Sequence, residues 1–337
     1  MRGHPDVRLA GVCEPSATAA EKFRGEFPGV PVYAELSALP GTKRPHFALI
    51  ATPPRRHAED AVTALELGIA ALVECPMVET PEQAEAVATA AGNAGLPAAM
   101  AESFCYLPAV QALRTLIPRL GQRLDGVLPV LGGEGHYLEM DTGLVPGGWR
   151  DNYQMARYIT HGLGPLLYAT GHRAARVVGL DPLGRVARSQ GPLMPVALVE
   201  TDRGAVFYTA NSGLAPRPLT RWTVVGDTWC AQTDPEGTFE GPLRVFDAMT
   251  PSGTGPGGWR TQRVDPHEVY GDLWGLGFEP ERLMLRRFAA VVNGAAADLG
   301  LDLSLNISLA GVAAAESGRT RGDAVEVKPV LVRKGTG

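Results

Sequence analysis

Residues 47–74 read FALIATPPRRHAEDAVTALELGIAALVE, and this stretch decides the fold. Phe47–Thr52 is an unbroken apolar run closed by Pro53-Pro54. An amphipathic segment follows from about Arg56 to Leu67, with Gly68 placed to cap it, and Ala70–Glu74 is a second apolar run broken by Pro76. Two strands without polar alternation, joined by a helix, predict a parallel pair covered on both faces. The same unit repeats on either side. Toward the amino terminus, Val7–Cys13 (VRLAGVC) predicts a strand and Ser16–Phe27 a helix, with Ser16 as N-cap and Glu21 and Lys22 on its exposed face. Toward the carboxyl side, Thr80 caps a helix from Pro81 to Ala94 that ends at Gly95. Ala98–Ala101 is a fourth strand and Pro108–Leu120 a further helix. The expected architecture is α/β, a Rossmann-type parallel sheet.

After about Gly126 the pattern changes. Val127–Leu138, Ala174–Gly179, Val196–Thr201, Ala205–Ala210 and Arg221–Val225 have β character, separated by Gly/Pro-rich turns such as Pro251–Gly258 (PSGTGPGG). Two helices follow near Glu279–Asn293 and Leu303–Ser317. Runs of strands predict an α+β unit with a mostly antiparallel open sheet. The expected division is a dinucleotide-binding domain over 1–122 and a substrate-binding and dimerisation domain over 123–337.

Composition limits the function classes. The 337 residues are 45% hydrophobic and 20% charged, with a formal net charge of -5. No basic stripe suits nucleic acid, and no apolar run is long enough for a bilayer. The amino terminus lacks the pattern of a signal peptide. Cys13, Cys75, Cys105 and Cys230 show neither paired nor metal-ligand spacing, so a reduced cytoplasm is expected and no metal site is read from the sequence.

A dinucleotide-binding unit ordinarily opens with a strand, a turn of the form G-x-G-x-x-G, and a helix whose N-terminus holds the pyrophosphate. No such turn precedes Val7, so the Rossmann-type sheet is expected to be incomplete, either through a start codon placed too late or through loss of ordinary cofactor binding. Glu14 stands where an acidic residue binds the adenosine ribose; it reads equally as a solvated strand end. Leu131–Gly135 (LGGEG) reads as a turn between strands rather than a phosphate cradle.

VRLAGVCEPS (Val7–Ser16), FALIATPPRRH (Phe47–His57), GIAALVECP (Gly68–Pro76) and LPAAMAESFCY (Leu96–Tyr106) follow in the order and spacing of the Gfo/Idh/MocA oxidoreductases, which the chain resembles over most of its length, including Asp302–Val330. The resemblance implies an NAD or NADP cofactor held by Glu14, Thr52, Pro53, His57, Glu74 and Pro76, a small sugar-like substrate, and a homo-oligomer. That family's Glu-Lys-Pro uses its Lys to polarise the substrate hydroxyl. Cys75 stands there instead and cannot serve as a cation; it is expected to be a small, half-buried residue rather than a reactive nucleophile.

Tyr158-Ile159-Thr160-His161-Gly162-Leu163-Gly164-Pro165 is similar to a Tyr-Pro-Thr-His-Gly-Leu-Gly-Pro element in family 109 of the glycoside hydrolases, a branch that also lacks the Lys. Glu102–Tyr106, Gly133–Tyr137 and the pair Trp149-Arg150 resemble further segments of that branch. Its chemistry oxidises a sugar C3 hydroxyl with a recycled NAD, eliminates at C1, and reduces the ketone again. The resemblance implies a sugar site lined by Glu102, Tyr137, Trp149, Arg150, Tyr158 and His161. Ile159 for Pro and Ser103 for Asn are departures.

These residue types suit the chemistry. Removing a hydroxyl proton near neutral pH calls for a base such as His161, at the start of the apolar helical stretch Gly162–Tyr168, with Tyr158 one turn away as its partner. Arg150 beside the Trp149 indole suits vicinal hydroxyls or a carboxylate. Each has a plainer reading: His161 as a core histidine, Tyr137 as packing, Trp149-Arg150 as a loop anchor, Glu102 as a cap, His57 at a helix start. Three functions therefore stand: an NAD(P)-linked sugar or polyol oxidoreductase, a cofactor-free lyase, cyclase or isomerase using His161 and Tyr158, and a non-catalytic binding subunit.

Overall fold

The computed structural model describes residues 3–41, 44–121, 130–138, 155–180, 195–212, 219–233, 241–252 and 255–330. Its parallel strands are short and come in two pieces. β1 (Val12–Cys13) pairs with β2 (Val32–Tyr33), while β3 (Phe47–Ile50), β4 (Ala70–Val73) and β5 (Ala98–Met100) form a separate sheet in that order. Among the described residues no strand joins β1 to β3. The strand expected over Val7–Cys13 shrinks to Val12–Cys13, because only Val32 and Tyr33 are there to pair with it. β2 itself, two residues long, had no sequence signal.

The helices obey their end chemistry. α1 (Ala17–Glu26) is capped by Ser16, whose hydroxyl accepts the Ala19 N–H. α2 (Pro54–Glu66) starts earlier than expected, since the fixed φ of Pro54 suits the first helical position and its missing N–H is no loss there. α3 (Pro81–Ala94) runs from Thr80 to a left-handed Gly95, as read. α4 spans Pro108–Gly121. β4, buried at all four residues, is the centre of this half.

The second sheet is built from β6 (Val130–Leu138), β7 (Ala174–Leu180), β8 (Val196–Thr201), β9 (Val206–Ser212), β10 (Leu219–Gly226), β11 (Trp229–Gln232), β12 (Leu243–Ser252), β13 (Gly255–Gln262) and β14 (Val325–Glu326). Their order is β13-β12-β11-β10-β6-β9-β8-β7-β14, antiparallel except for the parallel pair β6–β9. Two expectations are corrected. PSGTGPGG is not simply a turn: β12 runs through Ser252 and β13 begins at Gly255. LGGEG lies inside β6, where the glycines permit close approach. A Cβ on Gly133 would stand 2.1 Å from the Thr223 carbonyl oxygen, and one on Gly135 2.0 Å from that of Gly162.

Gly162 belongs to α5 (Thr160–Thr170), which lies on the inner face of this sheet with nine of its residues buried. α6 (Pro266–Tyr270) and α7 (Glu279–Val292) follow. α8 (Leu301–Arg319) then joins the two halves. On one side Ser304 Oγ accepts the Met100 N–H at 2.9 Å and Ser308 Oγ accepts that of Met77 at 3.1 Å. On the other, the Asn306 amide bonds both backbone groups of Ala174, and Ser317 Oγ accepts the Gly179 N–H. These buried polar side chains satisfy backbone groups that would otherwise be lost to the interface. Among the described residues no helix is long and apolar enough to cross a membrane.

Candidate active site

In an open parallel sheet, ligand-facing residues follow the carboxyl ends of the strands. Thr52 and Pro53 follow β3, Glu74 to Pro76 follow β4, and Glu102 follows β5. Parallel register brings these ends to one edge, with Ile50 beside Val73 and Val73 beside Met100. α5 meets that edge from the second sheet, and its second residue is His161.

Glu102 is fully buried. Both its carboxylate oxygens lie at hydrogen-bond distance from His161 Nδ1, 3.0 and 2.9 Å away. Oε2 also accepts the Cys75 thiol at 3.4 Å, and Oε1 accepts the Phe104 N–H at 3.3 Å. An ionised carboxylate only accepts, so the Nδ1 facing it carries a proton, and in the neutral form of that imidazole Nε2 is the acceptor. Glu102 therefore addresses His161 through both carboxylate oxygens. Gly164 makes room for it, since a Cβ there would press on Glu102 Cγ at 3.3 Å.

Aromatic rings enclose the imidazole. Ring centroids of Tyr137, Tyr158 and Phe104 lie 4.7, 4.9 and 5.1 Å from that of His161. The His161 side chain retains 16% exposure, so one part of the ring stays accessible. Trp222 stands edge-on to Phe104, and its indole N–H donates to the Gly162 carbonyl at 3.0 Å, fixing the first turn of α5. Tyr158 is held through its backbone: Asn211 Nδ2 donates to its carbonyl, and neighbouring Arg157 pairs with buried Glu79 at 3.0 Å. That ion pair ties the loop after β4 to the turn that carries Tyr158.

Cys75 is buried rather than half-buried, and desolvation, with the Glu102 charge next, holds its thiol well above the usual range. It is a protonated donor here, which argues against a free nucleophile. Burial also raises the Glu74 carboxyl, opposed by the Cys75 backbone N–H and the His161 ring.

His57 was expected on the cofactor, but it is almost fully buried. Its Nδ1 lies 2.8 Å from the Pro76 carbonyl oxygen and its Nε2 2.6 Å from that of Thr52. It clamps the loops after β3 and β4 together. Thr52 Oγ1 donates to Asp60 at 2.8 Å. Glu14 follows β1 and accepts the Ser16 N–H at 2.7 Å. Trp149 and Arg150 lie outside the described residues. The Glu79–Arg157 pair and the hydroxyls of α8 had no sequence signal beyond polar residues inside apolar runs.

Residues 1–101 match the model of a family described as GFO_IDH_MocA, oxidoreductase family, NAD-binding Rossmann fold. No curated protein matches by sequence. The chain shares its fold with levoglucosan dehydrogenase solved with NADH and L-sorbose, at 20% identity and a TM-score of 0.80, covering 98% of this chain and 92% of that one. An oxidoreductase domain protein from Kribbella flavida gives 21% and 0.77 over 95% and 90%. UDP-N-acetylglucosamine 3-dehydrogenase GnnA from Acidithiobacillus ferrooxidans gives 18% and 0.73 over 92% and 90%. The Rossmann-type sheet followed by a mostly antiparallel sheet is thus the fold these solved structures share.

Proposed function

We propose that the protein is an NAD(P)-dependent oxidoreductase that oxidises a carbinol of a sugar or sugar-like polyol, with His161 as base. The observation that carries this reading is the buried Glu102 carboxylate on His161 Nδ1, in a ring of aromatic side chains at the carboxyl edge of the parallel strands. The match of residues 1–101 to an NAD-binding oxidoreductase family and the sugar dehydrogenases among the structural neighbours support it.

The residues present fit a dinucleotide in part. Glu14 follows β1 where a carboxylate meets a ribose, and Thr52, Pro53, Glu74 and Pro76 line the shared strand edge. Among the described residues no glycine-rich turn precedes β1, so no residue is assigned to the pyrophosphate. A bound nicotinamide would supply the hydride acceptor. His161 Nε2 takes the hydroxyl proton as the carbinol C–H bond breaks, while Glu102 stabilises the resulting imidazolium. Tyr137 and Tyr158 flank the imidazole and position the hydroxyl.

The thiol at the position of the family's lysine favours the glycoside hydrolase 109-like branch, in which oxidation acidifies the neighbouring C–H and elimination follows. The protein acts in the cytoplasm as a homo-oligomer. The outer face of its second sheet, with Leu198 50%, Val206 47% and Val225 37% exposed, supports that assembly.

Titrating the purified full chain with NAD⁺ calorimetrically, after denaturing a sample to detect carried-over nucleotide, tests the cofactor. Binding or release of NAD is expected. Absence of both overturns the redox reading in favour of cofactor-free proton transfer. With a turned-over sugar in hand, His161→Ala is expected to lower kcat about 10²–10⁴-fold; unchanged turnover refutes the base assignment.

A further inference from the structure

Cys75, Glu102 and His161 reach one point from three elements: the ends of β4 and β5 and the first turn of α5. Their sulfur, carboxylate oxygen and ring nitrogen all lie within 4.8 Å of one another. We propose that these three side chains form a binding site for one divalent cation of the zinc class.

Donor chemistry selects the ion. Thiolate and imidazole are soft to borderline ligands that suit Zn²⁺, whereas Mg²⁺ and Ca²⁺ require oxygen donors. Spacing agrees. Around tetrahedral zinc, with bonds of about 2.0–2.1 Å to nitrogen and oxygen and about 2.3 Å to sulfur, ligand atoms stand roughly 3.3–3.6 Å apart. Glu102 Oε2 is 2.9 Å from His161 Nδ1 and 3.4 Å from Cys75 Sγ, close to that spacing, and the third separation is within 4.8 Å. Three protein ligands leave a fourth position for water or another small ligand.

Charge balance points the same way. With a neutral imidazole and a protonated thiol, the buried cluster carries the single negative charge of Glu102. Binding M²⁺ expels the Cys75 proton to solvent and moves the imidazole proton from Nδ1 to Nε2. The product, M²⁺ with one thiolate, one carboxylate and one neutral imidazole, is uncharged, the arrangement that a buried site tolerates best. With Nε2 then an N–H donor, the loaded site has no base. Metal binding and proton abstraction by His161 exclude each other. The binding itself is independent of the redox reading, because it is measured without substrate or nucleotide.

The test uses the full chain, treated with chelator and then dialysed, in a Cys13→Ser/Cys230→Ser background that removes the two less buried thiols. CoCl₂ is titrated under anaerobic conditions while the absorption spectrum is recorded. One Co²⁺ per chain is expected, with a thiolate-to-cobalt charge-transfer band in the near ultraviolet and visible d–d bands that ZnCl₂ abolishes. Cys75→Ser in the same background should lose the charge-transfer band and bind at least about tenfold more weakly. Absence of stoichiometric binding, or binding without the thiolate band, overturns the proposal through the parent protein alone, whether or not the Cys75 variant folds. A band that survives Cys75→Ser overturns it as well.

Discussion

Gly135→Ala probes the contact on which the site is built. Gly135 sits in the middle of β6, and a Cβ there would lie 2.0 Å from the Gly162 oxygen and 2.8 Å from its carbonyl carbon, inside the 3.0 Å that real Cβ atoms essentially never cross. Both sides of the clash are backbone, so β6 and α5 must part by at least about 1 Å. Overpacking of this kind costs about 1–3 kcal/mol. The separation also disturbs the Trp222 N–H bond to Gly162, worth roughly 1 kcal/mol more. The expected loss is about 2–4 kcal/mol, against a total stability on the order of 5–15 kcal/mol. Gly25→Ala is the matched control: it lies exposed in α1 with nothing within 4 Å of a new Cβ, and should stabilise by about 0.5–1 kcal/mol. Urea unfolding followed by tryptophan fluorescence reads both midpoints, compared at equal slope. If Gly135→Ala falls within about 0.5 kcal/mol of the parent, β6 and α5 do not approach each other as described and the seat of His161 is wrong.

Glu74→Gln tests the burial of the Glu74 carboxyl. Its pKa is raised from 4.5, so the folded state retains a proton that the unfolded state has released, and stability falls as pH rises from that value through the folded one. The Gln variant lacks this loss and should gain on the parent in urea midpoint between about pH 4.5 and pH 7; the opposite trend would contradict the burial. Tyr168→Phe tests the network that fastens α5 to the segment before α8. The Tyr168 hydroxyl donates to Asp298 and accepts from Arg114 and Gln111, so its removal should cost about 1–3 kcal/mol in urea unfolding. A change below about 0.3 kcal/mol would show that the network carries no weight.

Much of the first half was legible because its signals are local. Pro81, Thr80 and Gly95 set the ends of α3 by φ preference and capping alone, and the apolar runs around β3, β4 and β5 admit only buried strands. Longer-range pairing was not legible. β2 is too short to carry a period, and the glycines of β6 read as a turn, because the residues that need them, Thr223 and Gly162, are remote in sequence. The polar face of α8 was likewise invisible, since Ser304, Asn306 and Ser308 look solvent-facing until Met100, Ala174 and Met77 are brought against them.

The site divides in the same way. Sequence alone singled out His161, Tyr158, Tyr137 and Glu102 as residues of suitable chemistry and read Cys75 as a small half-buried residue. It could not say which of them touch, because a hydrogen bond between residues 59 apart depends on how two sheets pack. Only the tertiary structure set Glu102 on His161, brought Cys75 to the same carboxylate, and set His57 across two backbone carbonyls. Residue type and local pattern determine what a side chain can do. Burial and neighbours, set by the close approach of β6, α5 and α8, determine which of those things it does.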